Sequence, residues 1–337
     1  MSSVMSDQQK PDSIFNLSPE HFVAHPLLHG HEENFRETNC YSDLIIEIIN
    51  NLGMNPIACL GYTLAADFEG DQWTFGKPSH HDLEALYGVR LEELSLYRPL
   101  VDQIITQVDR GSIPLVEADA YHLPDTEGID YRKGHVKTTI GITYINTDEK
   151  VMHYFHNATF TRLEGDDFDG VLTPLASTHK GYLPPYCEIA KLNQTFILTD
   201  DELRKRAMIS GAFHLRKRPT YNPIKVHADA IQAHQESIIK DGQAFYHAYT
   251  FVAPRQLGSS HQLGAHFLRW LANGTNQSLI EAANAFDRIA SLSKSLVLKL
   301  ARVAHTGKPA DLTAMFNEMA THWDYADTQL KLAFKDL

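Results

Sequence analysis

An apolar stripe that begins at Cys40 is the feature that most constrains how this chain can fold. The stripe has the spacing of one helix face and consists of Leu44, Ile45, Ile48, Ile49 and Leu52. Gly53 follows directly, and glycine suits the left-handed position that ends many helices. The pattern therefore predicts a helix whose apolar face is buried and whose first turn contains Cys40.

A second pattern, about 95 residues further on, predicts a β-hairpin. Residues 136–145 are rich in β-branched side chains, residues 146–149 have the composition of a turn, and residues 150–155 continue as a partner strand. His135 stands at the entry of the first strand. Upstream, the spacing predicts helices over residues 80–87 and 91–110, and a strand over residues 113–121.

Cys40 and His135 are predicted to form a thiol–imidazole pair. The partial positive charge at a helix N-terminus favours the thiolate form of a cysteine placed there. Asp43, in the same turn, is expected to face outward and to oppose this effect weakly. A histidine beside the thiol would accept its proton, which makes Cys40 the candidate nucleophile and His135 the candidate base. The alternative is a small core cysteine and a structural histidine.

Three asparagines complete the candidate catalytic site. Asn157, just past the second hairpin strand, is predicted to orient the His135 imidazole, with Asp148 at the far turn as the alternative. An oxyanion hole is predicted from the backbone N–H at the helix start, with the side chain of Asn39 or Asn34 as a second donor.

Composition restricts the class of protein. A formal net charge of −12 disfavours nucleic-acid binding, which needs basic surface. Three cysteines without a CxxC spacing indicate neither a disulfide framework nor a structural zinc site, and they favour a reducing cytoplasm. The histidine pairs lack metal-ligand spacing, so we expect no catalytic metal. No signal peptide and no apolar run long enough for a membrane span is evident, so we expect a cytoplasmic protein.

The chain is predicted to have three regions: a polar arm over residues 1–30, a catalytic domain over residues 31–200 and a helical domain over residues 201–337. Helices in the last region are predicted over residues 227–239, 264–272, 278–304 and 309–334. The basic triplets 204–206 and 216–218 are expected on solvated faces, where they could bind an acidic partner such as a carrier protein.

Three separated motifs carry a family resemblance: ETNCYSDL at residues 37–44, VEADAYHLP at 116–124 and GHVKTTIGI at 134–142. Together they resemble an uncharacterised bacterial family and, more distantly, the N-terminal domain of butirosin biosynthesis protein H. The resemblance implies an α+β fold, in which a papain-like domain with its N-terminal helix on an antiparallel sheet precedes a helical domain. Asp119 and Tyr121 match the second motif and are expected to shape the substrate pocket. The butirosin-like pattern has Asp-Pro where this chain has Asn157-Ala158.

The resemblance also implies a function, namely transfer of an acyl or aminoacyl group from a carrier-protein thioester to an amine through an acyl-enzyme. No bound cofactor would be needed, because the phosphopantetheine belongs to the partner carrier protein. Two alternatives stay open. Water as the acceptor would make the protein an amidase, peptidase or thioesterase, and an inert Cys40 would make it a non-catalytic carrier-protein-binding or scaffold protein.

Overall fold

A six-stranded antiparallel sheet organises the first part of the chain, with strand order β1-β6-β2-β3-β4-β5. The computed structural model describes residues 18–172, 185–193 and 195–336. The strands are β1 (Val89–Glu93), β2 (Ser112–Asp119), β3 (Lys137–Asn146), β4 (Val151–His156), β5 (Thr159–Glu164) and β6 (Cys187–Leu192). The sheet and the helices around it confirm the predicted α+β class.

The helices of this first part are α1 (Cys40–Asn51), α2 (His80–Tyr87), α3 (Leu100–Asp109) and α4 (Asp166–Leu172), with a 3₁₀ segment over Pro56–Ala65. The second part is helical: α5 (Asp200–Leu215), α6 (Pro223–Val252), α7 (Pro254–Ala272), α8 (Gln277–Thr306) and α9 (Thr313–Ala333). Within α6, Gly242 has a φ of 70°, which a residue without a Cβ adopts readily, and the helix kinks there.

Helix α1 forms where the apolar stripe predicted it and lies directly on the sheet. Its N-cap is Asn39, whose side-chain oxygen accepts the Ser42 N–H at 3.0 Å. A Cβ at Gly141 of β3 would lie only 3.3 Å from the Ile48 side chain and 3.4 Å from that of Leu44. The missing side chain at Gly141 therefore allows α1 to pack closely against β3.

The hairpin prediction is confirmed by β3 and β4, whereas the helix predicted over residues 91–110 is wrong. That segment contains the last three residues of β1, an irregular connection and the shorter helix α3. Strand β1 pairs with β6 from Val89 opposite Leu192 to Glu93 opposite Glu188, and Pro99 precedes the first turn of α3. Residues 91–93 therefore pair with a distant strand and are not part of a helix.

The two parts of the chain share one hydrophobic cluster. Buried side chains continue from Leu44 in α1 through Leu60 in the 3₁₀ segment to Phe267 and Leu296 in α7 and α8. A Cβ at Gly61 would lie 3.3 Å from the Phe267 ring. The hydrophobic core is therefore continuous between the part of the chain before the β6–α5 connection and the part after it.

One prediction for the basic triplets is wrong, because Arg218 lies inside the helical region and only 7% of it is exposed. Its guanidinium stacks over the Trp323 ring at 4.1 Å, lies 3.3 Å from Asp327 and donates to the Leu64 carbonyl at 2.9 Å. Burial lowers the pKa of Arg218 to about 10, although Asp327 partly opposes this. Arg218 is therefore a core cation and is not available to a partner.

A buried imidazole fastens the segment before α1 to the helix. His29 lies between two carboxylates of α1, hydrogen-bonded to Glu47 and 3.4 Å from Asp43. Burial alone would lower the pKa of His29, but the hydrogen bonds to Asp43 and Glu47 and their charges raise it to about 9. His29 is therefore protonated at neutral pH and neutralises charge inside the fold.

Replacing His29 by alanine is expected to lower the free energy of unfolding by about 3 kcal/mol at pH 6, because two buried carboxylates lose their cation. Since the folded-state pKa is raised, this contribution is complete below the unfolded pKa and is lost as the pH rises through about 9. Urea denaturation of both proteins between pH 6 and pH 10 measures the difference. His31→Ala is the control, because His31 is exposed. A pH-independent loss, or an equal loss in the control, would contradict this account.

Candidate functional site

Cys40 is the first residue of α1 and is half-buried, whereas Cys59 and Cys187 are fully buried. Burial raises the pKa of the Cys59 thiol to about 12 and that of Cys187 to about 11. Both of these thiols remain protonated and shielded from solvent at neutral pH. Cys40 is therefore the cysteine whose position permits chemistry.

The expectation that Asp43 faces outward is wrong, since it is 3% exposed. Its Oδ2 accepts the backbone N–H groups of Thr38 and Asn39, both at 3.0 Å, and Oδ1 lies 3.4 Å from His29. Two N–H dipoles and an imidazolium thus surround the carboxylate. These groups compensate the negative charge of Asp43, and the carboxylate fixes the backbone of Thr38 and Asn39, the two residues before Cys40.

The two asparagines predicted near the oxyanion hole lie in different settings. Asn39 is buried, its Oδ1 caps α1 at Ser42, and its Nδ2 donates to the Gly76 carbonyl at 2.5 Å. The oxygen and the nitrogen of the Asn39 amide are therefore both used in hydrogen bonds that fix the start of α1. Asn34 is exposed, six residues before Cys40. The backbone N–H groups of the first turn of α1 are the donors that the helix itself provides near the thiol.

His135 is held by Asp119 and Tyr121. Its Nδ1 lies 2.6 Å from Asp119 Oδ2, and Asp119 Oδ1 accepts the Tyr121 N–H at 3.0 Å. The imidazole stacks on the Tyr121 ring with centroids 4.6 Å apart and planes 15° apart. An ionised carboxylate only accepts hydrogen bonds, so Nδ1 carries the proton and Nε2 is the basic nitrogen. The His135 side chain is 67% exposed.

Asn157 occupies the tight turn between β4 and β5, where its φ is 47°. The residue before it, His156, is hydrogen-bonded through Nε2 to the Thr138 hydroxyl at 2.7 Å and through Nδ1 to Asp125 Oδ2 at 2.5 Å. Asp148 lies in the β3–β4 turn, where its N–H donates to Asn146 Oδ1 at 3.0 Å. Asp119 thus has the contact with His135 that the sequence led us to expect of Asn157.

The antiparallel register could have identified Asp119 as the partner of His135. Asp119 is the last residue of β2 and pairs with Lys137, the first residue of β3. His135 precedes Lys137 by two residues and therefore continues the same side of the strand. Recognising this required knowledge that the strand over residues 112–119 pairs with the hairpin.

A row of hydrogen bonds connects the first turn of α1 with the sheet. Tyr41, next to Cys40, donates to Glu188 at 2.6 Å, and Tyr186 donates to the other oxygen of Glu188 at 2.7 Å. The Tyr186 N–H donates to Glu117 at 3.3 Å. Burial and the bonds to Glu188 raise the pKa of both tyrosines, which keeps them protonated as donors.

The row ends beside His135. Lys137 pairs with Glu117 at 2.7 Å, and the β2–β3 register sets Lys137 opposite Asp119. Along β2, Glu117 and Asp119 alternate with Val116 and Ala118, so they lie on the same face of the sheet as Leu115. That face is the one covered by α1, because a Cβ at Gly141 would lie close to the side chains of Leu115, Ile48 and Leu44. The first turn of α1 and the His135–Asp119 pair therefore lie on one face of the sheet and at one end of it.

Across the described ranges, no group of three or more His, Cys, Asp or Glu side chains is arranged to hold a metal ion. Within the same ranges, no helix combines the length and apolar character needed to cross a bilayer. The reactive and hydrogen-bonded groups described above are a half-buried thiol, an imidazole held by a carboxylate, and two tyrosines that donate to the buried Glu188.

A thiol reagent at pH 7 is expected to modify Cys40 at least about tenfold faster than Cys59 or Cys187, because the other two thiols are buried and protonated. Peptide mass mapping after timed labelling of the native protein gives the three rates. Labelling in denaturant serves as the control and should modify all three equally. Equal slow rates in the native protein would contradict an accessible Cys40.

Two family models together match most of the chain. The DUF1839 N-terminal domain matches residues 24–192, and the DUF1839 C-terminal domain matches residues 200–332. The first match contains Cys40, Asp119 and His135, and the second contains the helices from α5 to α9 except for the last residue of α9. A comparison with curated proteins finds no significant match. The chain belongs to the DUF1839 family, with both its N-terminal and its C-terminal domains.

Proposed function

We propose that this protein is a thiol acyltransferase with a papain-like arrangement of nucleophile and base. Cys40 would accept an acyl or aminoacyl group from a carrier-protein thioester and pass it to an amine. The observation that carries the proposal is the half-buried Cys40 at a helix N-terminus, next to Tyr41, which donates to Glu188 of β6, while Asp119 of the neighbouring strand β2 holds His135. The three motifs of the family resemblance contain these same residues.

In the first half-reaction, Cys40 Sγ attacks the thioester carbonyl carbon and its proton moves to His135 Nε2. The carbon–sulfur bond of the donor then breaks, and the leaving phosphopantetheine thiolate takes the proton from His135. The phosphopantetheine arm is part of the donor substrate. Backbone N–H groups at the start of α1 would stabilise the oxyanion that forms in between.

In the second half-reaction, the amine attacks the acyl group on Cys40 and gives a proton to His135 Nε2. That proton passes to Cys40 Sγ as the sulfur leaves, which regenerates the thiol and releases an amide. Asp119 would hold Nδ1–H throughout and stabilise the imidazolium, in the role that a buried carboxylate has in other triads. Stacking against the Tyr121 ring would hold the His135 imidazole in a fixed orientation.

Hydrolysis of the acyl-enzyme is the second candidate reaction. The 67% exposure of the His135 side chain favours it, because water can reach the base without a conformational change. The first half-reaction would be unchanged, and water would replace the amine in the second. Product analysis with and without added amines separates transfer from hydrolysis.

The covalent intermediate provides the direct test of Cys40. Mixing the protein with carrier proteins loaded with amino acids or simple acyl groups should give a protein mass increased by the acyl group. Cys40→Ala should give none, while Cys187→Ala, which removes a buried thiol, should still be acylated. Intact-mass spectrometry detects the adducts. An adduct on the Cys40→Ala protein would refute the mechanism, and no adduct with any thioester would favour a binding role.

The orienting role of Asp119 is tested by Asp119→Asn. We expect the transfer rate to fall roughly 10²–10⁴-fold, because the amide cannot stabilise the imidazolium, and steady-state kinetics across pH 6–9 measures this. Asn157→Gly is the comparison, since glycine tolerates the φ of 47° at that turn. If Asn157→Gly lost as much activity as Asp119→Asn, the orienting role would belong to Asn157.

A further inference from the structure

A small cavity of about 200 Å³ lies directly upstream of Cys40. Residues 34–38 form one wall, and the opposite wall is formed by Arg255 of α7 with Lys294, Val297 and Leu298 of α8. We refer to it as the cationic cavity. It lies where the segment that leads into α1 meets the helical part of the chain.

Positive charge predominates in the cationic cavity. Arg36, Arg255 and Lys294 line it, and Glu37 is the carboxylate among the lining residues. None of the three cations forms an ion pair within the part of the chain that the structure describes. In a chain with a formal net charge of −12, this is a local concentration of unpaired positive charge. The charge is available to an external anion.

Two polar atoms of residues that line this cavity are buried and have no hydrogen-bond partner among the described residues. They are the hydroxyl of Thr38 and the Nε of Arg36. Thr38 is 6% exposed, and its backbone is already used, because its N–H donates to Asp43 and its carbonyl accepts from Gln256. An unpaired buried polar group costs free energy, and the cost is removed when a ligand supplies the missing partner.

We propose that the cationic cavity binds the phosphate group of an organic phosphate. Guanidinium and ammonium groups are the side chains that recognise phosphate, and the Thr38 hydroxyl can donate to a further phosphate oxygen. Arg255 is in the first turn of the 19-residue helix α7, whose N-terminus adds positive potential. A volume of about 200 Å³ suits a phosphate group rather than a complete nucleotide.

The organic phosphate that fits the site chemistry is the phosphopantetheine arm of the thioester donor, and this assignment rests on the function proposed above. Thr38 precedes Cys40 by two residues, so their Cα atoms lie at most about 7 Å apart. A phosphate in the cationic cavity would therefore lie near the thiol, and the flexible arm would fold back to bring its thioester to Cys40. The binding site itself requires no turnover and can be tested separately.

Binding is measured by isothermal titration with the full-length Cys40→Ala protein, which separates it from acyl transfer. The probes are phosphopantetheine, pantetheine without the phosphate, and inorganic phosphate. Phosphopantetheine is expected to bind at least about tenfold more tightly than pantetheine, because charge-assisted hydrogen bonds to phosphate are strong. Equal affinities for these two compounds would overturn the proposal.

Arg255→Gln combined with Lys294→Gln should remove the preference for phosphopantetheine. Lys205→Gln combined with Lys240→Gln is the matched control, since it changes the net charge equally at exposed positions outside the cationic cavity. An equal loss of affinity in both double variants would show a general charge effect and would refute the site. Binding of inorganic phosphate that neither double variant alters would identify an adventitious ion only.

Thr38→Val provides a test that does not depend on net charge. Valine has nearly the same shape as threonine, and the hydroxyl it removes has no partner among the described residues, so the melting temperature should stay the same or rise. Phosphopantetheine affinity should nevertheless fall several-fold. A lower melting temperature with unchanged affinity would show that the Thr38 hydroxyl has a structural role instead.

Discussion

The carboxylate of Asp43 is the contact on which the start of α1 depends. It accepts two backbone N–H groups from the residues just before the helix and lies against the protonated His29. A first-turn carboxylate that accepts hydrogen bonds from the preceding residues satisfies their buried N–H groups and fixes the direction from which the chain enters the helix. The position of Cys40 and the shape of the cationic cavity both follow from that direction.

The helical part of the chain holds the same segment from the other side. Gln256 of α7 donates to the Thr38 carbonyl at 2.9 Å, and Gln262 exchanges hydrogen bonds with the backbone of Phe35. A Cβ at Gly258 would lie 2.1 Å from the Phe35 ring, so only glycine allows this approach. The helices are therefore part of the candidate site, and both family domains contribute to it.

Local patterns were sufficient for some elements and insufficient for others. The stripe after Cys40 and the β-branched run after His135 each identified their element, because their own side chains decide which face is buried. Strands β1 and β6 were missed because each is completed by pairing with residues about a hundred positions away. The segment 91–110 illustrates this: its apolar residues serve an edge strand and a short helix and not one long helix.

The sequence alone determined that Cys40 would start a helix, that His135 would lie just before a strand, and that the sheet and the helical region would follow one another along the chain. Tertiary structure decided which groups surround these residues. Asp119 became the partner of His135 through the β2–β3 register, Asp43 turned inward because His29 and two N–H groups could satisfy it, and Arg218 was buried against Trp323. These outcomes depend on contacts between residues far apart in the chain, and periodicity along a single segment does not encode such contacts.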